Sequence, residues 1–159
     1  MKKTILMISL FGAMLCLNAQ PTIDLNAEKA AVNAMLDTWQ TATLTDTLAS
    51  LLTDDAFVLG TAPEELRTKN ELVEIWKQYY SGVVPEHSYT SERIVKMAAD
   101  GNSATAIEEY IMPSMSPILT ARNTLHLVKT NGKWMVDFVS IAFIPKNEDI
   151  PKIEKIISE

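Results

Sequence analysis

The sequence predicts an α+β fold in which three N-terminal helices pack on one face of a curved antiparallel sheet. Apolar residues recur every three to four positions in the first half of the chain. Four long β-type runs fill the second half, and the last two are hinged on Asn131-Gly132. Helices and strands are thus segregated along the chain, which separates this class from an alternating, parallel sheet.

The chain opens with Lys2-Lys3, an apolar run from Ile5 to Leu17 and then Asn18-Ala19-Gln20. Basic start, short apolar core and small residue at the cut are the three parts of a secretory signal peptide, with cleavage expected after Ala19. The expected organisation is a signal peptide over residues 1–19 and one domain over residues 20–159, periplasmic or secreted. No later stretch approaches the roughly 20 apolar residues of a spanning helix, so no membrane partner is expected after cleavage. Cys16 is the only cysteine and lies in the removed segment. Ala13-Met14-Leu15 before it lacks the small residues of a lipoprotein signal. A mature chain without cysteine has no disulfide, thiol nucleophile or cysteine metal site.

Removing Lys2 and Lys3 takes the formal net charge from −6 to −8. An acidic chain with no basic cluster does not suit nucleic acid or an anionic membrane surface. The two histidines, His87 and His126, form no i, i+4 pair, so no metal site is expected. No other cofactor is expected either.

From Asn26 to Thr43, the residues Ala27, Ala31, Met35, Trp39 and Ala42 form one helical stripe. Asp46 is placed to cap a short second helix through Leu52. Asp54-Asp55 then breaks that helix before an extended run from Ala56 to Gly60. Thr68-Lys69-Asn70-Glu71 is a capping box opening a third helix to about Tyr80, with Leu72, Ile75, Trp76 and Tyr79 inward. Strands are expected over Tyr89–Met97, Ser103–Met112, Thr120–Lys129 and Lys133–Ile144. Pro145 ends the last because it has no N–H to donate. A short polar helix follows from Pro151.

In the final hairpin, a type I′ turn at Asn131-Gly132 pairs Lys129 with Trp134 and Leu127 with Val136. Continued without a bulge, this register puts His126 opposite Asp137, Thr124 opposite Val139 and Arg122 opposite Ile141 on one face. Leu125–Phe138 and Asn123–Ser140 fall on the other, apolar face.

That element order resembles the nuclear transport factor 2-like superfamily, and within it the SnoaL-like branch. The residues carrying the resemblance are Trp39 in the first helix, Asp54-Asp55 before Gly60-Thr61, the Asn131-Gly132-Lys133-Trp134 hairpin and the tail Ser140-Ile141-Ala142-Phe143-Ile144-Pro145. The resemblance implies a cone with a cavity between the third helix and the concave sheet. It also implies that the cavity serves enzymes, ligand binders and adaptors alike, so the fold alone does not assign a function.

Trp39, Phe57, Thr61, Trp76, Tyr79, Glu109, Arg122 and Ser140 are the candidate pocket residues. An aromatic lining with a few polar fixtures is the usual composition of a small-molecule site. Glu109 and Arg122 form an ion pair able to anchor a polar ligand group, as similar sequences imply, although alternation leaves open whether Glu108 or Glu109 faces inward. Their other reading is a structural or solvated pair. His126 with Asp137 is an acid–base candidate, a carboxylate orienting an imidazole. It shares an outer or dimer face with Arg122, Thr124, Val128, Met135 and Val139. Glu64, Glu65 and Arg67 read as a solvated loop, with Glu65 also placed to reach the cavity mouth. The expected function is binding of a small, partly apolar ligand by an exported homodimer. The alternatives are an isomerase, dehydratase or cyclase in the same cavity, or a non-catalytic interaction module.

Overall fold

The computed structural model describes residues 23–159, so the expected signal segment and the cut after Ala19 lie outside the described residues. Helix α1 spans Leu25–Thr41, and its N-cap Asp24 accepts hydrogen bonds from the Asn26 and Ala27 N–H groups. Its buried stripe is Val32, Leu36 and Trp39, with Ala27 and Ala31 exposed. The expected periodicity is present, but the stripe is rotated. Valine and leucine gain more from burial than alanine and take the inward positions.

Helix α2 covers Thr45–Ser50, with Asp46 in its first turn rather than at the cap. Strand β1 (Leu52–Leu59) runs straight through Asp54-Asp55. Its pairing with β7 shifts register between Leu52 and Phe57, and this irregularity lets both carboxylates face solvent without ending the strand. The expected loop at Arg67 contains a short edge strand, β2 (Leu66–Thr68). Helix α3 (Lys69–Tyr80) opens on the capping box between Thr68 and Glu71.

The run expected as one strand from Tyr89 divides into β3 (Ser88–Tyr89) and β4 (Ile94–Met97), both paired with β5 (Ser103–Met112). Strands β6 (Ser116–Thr130) and β7 (Lys133–Phe143) complete a sheet of order β2-β1-β7-β6-β5-β3, and helix α4 (Ile150–Ile157) closes the chain. The sheet is antiparallel except where β1 lies beside β7, which corrects the expectation of a wholly antiparallel sheet. No helix among the described residues is long and apolar enough to cross a membrane.

The core lies between the helices and the concave face, where Val32, Leu36, Leu52, Ala106, Leu125, Leu127 and Val136 are fully buried. Glu28 of α1 accepts from Lys129 Nζ and from Trp134 Nε1, tying the helix to the hairpin end. Asn131 and Gly132 adopt φ of 52° and 76°, as a type I′ turn requires.

The hairpin holds the expected register through Leu127–Val136 and then slips by one residue, so that His126 faces Phe138, Thr124 faces Ser140 and Arg122 faces Ala142. Asp137 is the extra residue. This β-bulge turns Val139 and Ile141 inward and carries Phe138 and Ser140 to the outer face, because one inserted residue inverts a strand of period two.

Candidate functional site

The concave face of the sheet, α1 and α3 enclose a cavity of about 160 Å³. That is close to the ~150 Å³ of an apolar cavity that holds one benzene ring. Trp39 comes to it from α1, and Leu72, Trp76 and Tyr80 from α3. Val58, Val139 and Ile141 form its sheet wall, and Met112 and Met115 close the end nearest the β5–β6 turn. The α3–β3 connection crosses the opening with Val84, Pro85 and His87.

One side of this apolar space is polar. Carbonyl oxygens only accept, so the 3.0 Å contact of His87 Nδ1 with Pro85 O places a proton on Nδ1. In the neutral ring, Nε2 then accepts the Tyr89 hydroxyl at 3.1 Å. Tyr110 Oη donates to Asn123 Oδ1 at 2.9 Å, and Asn123 Nδ2 makes no hydrogen bond within the described residues. The rings of His87, Tyr89 and Tyr110 pack edge to face or tilted, at centroid distances of 5.1 to 5.9 Å.

Burial, and then the negative charge of Glu108, push both phenols up, Tyr110 to about 12. Both are neutral hydrogen-bonding groups at physiological pH. The strip therefore offers an amide N–H donor and phenol oxygens, which suits one hydroxyl or carbonyl group on a mostly apolar ligand.

Beneath the strip lies a buried ionic cluster. Glu108 has no exposed side-chain surface, and its Oε1 accepts from Arg93 Nε at 2.8 Å and Gln40 Nε2 at 3.0 Å. Arg93 also donates to Asp37 at 2.9 Å and to the Asn33 carbonyl at 3.2 Å. Glu108 Oε2 has no hydrogen-bond partner among the described residues. Burial raises the Glu108 pKa, and the Arg93 hydrogen bond opposes that shift.

The expected pocket residues divide into three groups. Trp39 and Trp76 line the inner cavity. Thr61 and the largely exposed Tyr79 line a wider adjoining cleft of about 500 Å³, which shares Val58, Leu72, Met115 and Ile141 with the cavity. Phe57, Glu109, Arg122 and Ser140 do not reach either space. Phe57 stands on the outer face against Phe138, with ring centroids 5.0 Å apart. Arg122 Nη2 donates to Glu109 Oε1 at 2.7 Å on that same face. Ser140 is carried there by the bulge. The cause on β5 is alternation, since Ala104, Ala106, Glu108 and Tyr110 point inward and Glu109 cannot.

His126 Nδ1 and Asp137 Oδ1 meet at 2.7 Å despite the register slip, on the outer face and away from the cavity. No group of three His, Cys, Asp or Glu side chains among the described residues is placed to hold a metal ion. The sequence reading missed His87, Tyr89, Asn123 and the Arg93–Glu108 pair as site residues. Alternation ties Glu108 to the face of Tyr110, but nothing within the strand marks which of its two faces lies inward.

A cone of sheet around helices, enclosing an aromatic cavity, defines the nuclear transport factor 2-like class. Within it, the chain belongs to the SnoaL-like domain family, whose pattern matches residues 29–139. No curated protein matches the chain significantly. A nuclear transport factor 2-like protein of unknown function from Pseudomonas putida superposes with a TM-score of 0.62 at 14% identity, covering 77% of this chain and 91% of that one. An uncharacterised protein with a cystatin-like fold from Caulobacter vibrioides gives 0.61 at 15%, covering 79% and 95%. A Parabacteroides distasonis protein named provisionally as a ketosteroid isomerase gives 0.57 at 10%, covering 71% and 85%. At these identities, the likeness concerns the fold alone.

Proposed function

We propose that this domain binds a small, partly apolar ligand in the cone, with a single hydroxyl or carbonyl group set against Asn123 and Tyr110. The observation that carries this is the aromatic cavity on whose sheet side Tyr110 and Asn123 are hydrogen-bonded to each other. Apolar volume supplies affinity and a few placed polar groups supply orientation. The test is titration with p-cresol and with toluene, followed by thermal shift and tryptophan emission. Saturable binding of p-cresol, tighter than that of toluene and with the difference reduced by Asn123→Ala, supports the reading. No saturable response to either compound overturns it.

A second reading, an isomerase, dehydratase or cyclase, draws on His87 as the one imidazole at the cavity. Its Nε2 can take a proton from a ligand once Tyr89 turns its hydroxyl away. A bound ligand recovered chemically unchanged after long incubation counts against this reading.

We further propose export as a soluble protein and pairing of two copies through the outer sheet face. Phe57 and Leu59 are exposed there beside complementary charges, which suits a two-fold self-interface.

A further inference from the structure

The wide cleft next to the aromatic cavity is lined by Arg67, a cation with no ion pair within 4.0 Å among the described residues. Val58 faces inward and borders both spaces, and its antiparallel partner across β1 and β2 is Arg67. Cross-strand partners share a face, so the register places Arg67 on the concave side and at the rim of the cleft. Of the three arginines, Arg93 is paired with Glu108 and Asp37, and Arg122 with Glu109. Arg67 has no carboxylate within 4.0 Å and no hydrogen bond among the described residues. In a chain with 20 acidic and 14 basic side chains, an unpaired guanidinium at a cavity rim calls for an account.

Glu65 and Glu71, two of the nearby carboxylates, each use one oxygen in local hydrogen bonds. Glu65 Oε2 accepts from the Ala62 N–H at 3.0 Å and faces the Thr61 hydroxyl. Glu65 also folds back over Gly60, where a β-carbon would lie 2.7 Å from Glu65 Cβ. Glu71 Oε2 accepts from Thr68 N–H and Oγ1 in the capping box. Glu74 lines a shallow groove together with Arg67 and Glu71, with no ion pair to Arg67 within 4.0 Å. Together, these charges weaken the field of Arg67 at a distance, but they leave its fork of donors unfilled. A planar guanidinium matches a carboxylate at short range through two parallel hydrogen bonds.

We propose that Arg67 receives the carboxylate of the ligand, and that the ligand class is an apolar-bodied monocarboxylate lying from the aromatic cavity across Met115 into the cleft. This rests on the cavity-binding reading above and extends it by naming the charged end. Val58, Leu72, Met115 and Ile141 border both spaces, so the two adjoin along these four side chains, and the ligand would span them there.

The test compares 4-phenylbutanoate with 4-phenylbutanamide by calorimetry, in the wild type, Arg67→Gln and Arg67→Lys. The expected result is acid bound about tenfold or more tightly than amide by the wild type, as a charge-assisted pair implies. Arg67→Gln should weaken the acid alone until the two are equal, and Arg67→Lys should retain part of the preference. Equal affinities in the wild type, or an acid preference that survives Arg67→Gln, overturn the proposal. Amide binding without acid preference leaves the cavity reading standing and removes only this extension; binding of neither probe also removes this extension, and the p-cresol titration decides the cavity reading separately. Should Arg67→Gln not fold, the wild-type comparison of acid with amide decides.

Discussion

Arg93 and Glu108 form a 2.8 Å ion pair whose carboxylate is wholly buried and whose guanidinium is nearly so. It joins the segment before β4 to the concave face of β5, and through Asp37 and Asn33 it holds α1 against the sheet. Such a pair stabilises little relative to apolar groups, yet breaking it is costly, because the remaining charge cannot return to water.

Arg93→Ala should therefore lower stability by about 3–5 kcal/mol. Combining it with Glu108→Gln should recover part of that loss. Chemical denaturation of the two singles and the double measures the coupling, and additive losses would mean that the side chains do not share an environment.

The raised pKa of Glu108 sets a pH dependence with a definite sign. A carboxyl whose folded pKa lies above its unfolded value stabilises the fold fully below the unfolded value, near the ordinary 4.5. That contribution is lost as pH rises through the folded value. The melting temperature of Glu108→Gln relative to wild type should thus increase as pH rises from about 4. A difference that stays flat or falls over that range would contradict a buried, desolvated carboxyl.

Arg122 and Glu109 offer the contrast. Their side chains are 45% and 27% exposed, so the pair is screened by water. Arg122→Ala should cost no more than about 1 kcal/mol and leave p-cresol binding unchanged. Loss of binding would return these residues to the cavity, where the structure does not place them.

Pairing through the outer face is open to direct test. Light scattering at micromolar concentration should give a dimer for the wild type and a monomer for Phe57→Glu, since a charge there opposes burial of the Phe57–Phe138 cluster. A monomeric wild type would set the surface aside.

Export predicts an intact mass starting at Gln20 when the protein is isolated from a natively exporting cell. Retention of residues 1–19, or lipid on Cys16, would exclude the soluble exported form.

Features that depend on neighbours along the chain were legible in the sequence. The Thr68–Glu71 box opens α3, the Asn131-Gly132 turn makes the hairpin, and the segregation of helical from β-type periodicity gives the α+β class, because each is decided within a few residues by backbone geometry. Trp39 and Trp76 could be placed in the cavity for the same reason, since helical spacing fixes which side chains share a stripe. The two faces of the strands were decided only in three dimensions. Alternation states that Glu108 and Glu109 differ but not which is inside. The phase comes from Arg93 and Gln40, 15 and 68 residues away, which supply the donors that a buried carboxylate needs. In β7, the bulge at Asp137 exchanges the faces of Phe138, Val139 and Ser140. No local signal marks it, because a bulge is set by the fit of a whole strand to its partners on both sides. Arg67 shows the same dependence on tertiary structure, since it lies on the cavity side only because β2 pairs with β1 opposite Val58.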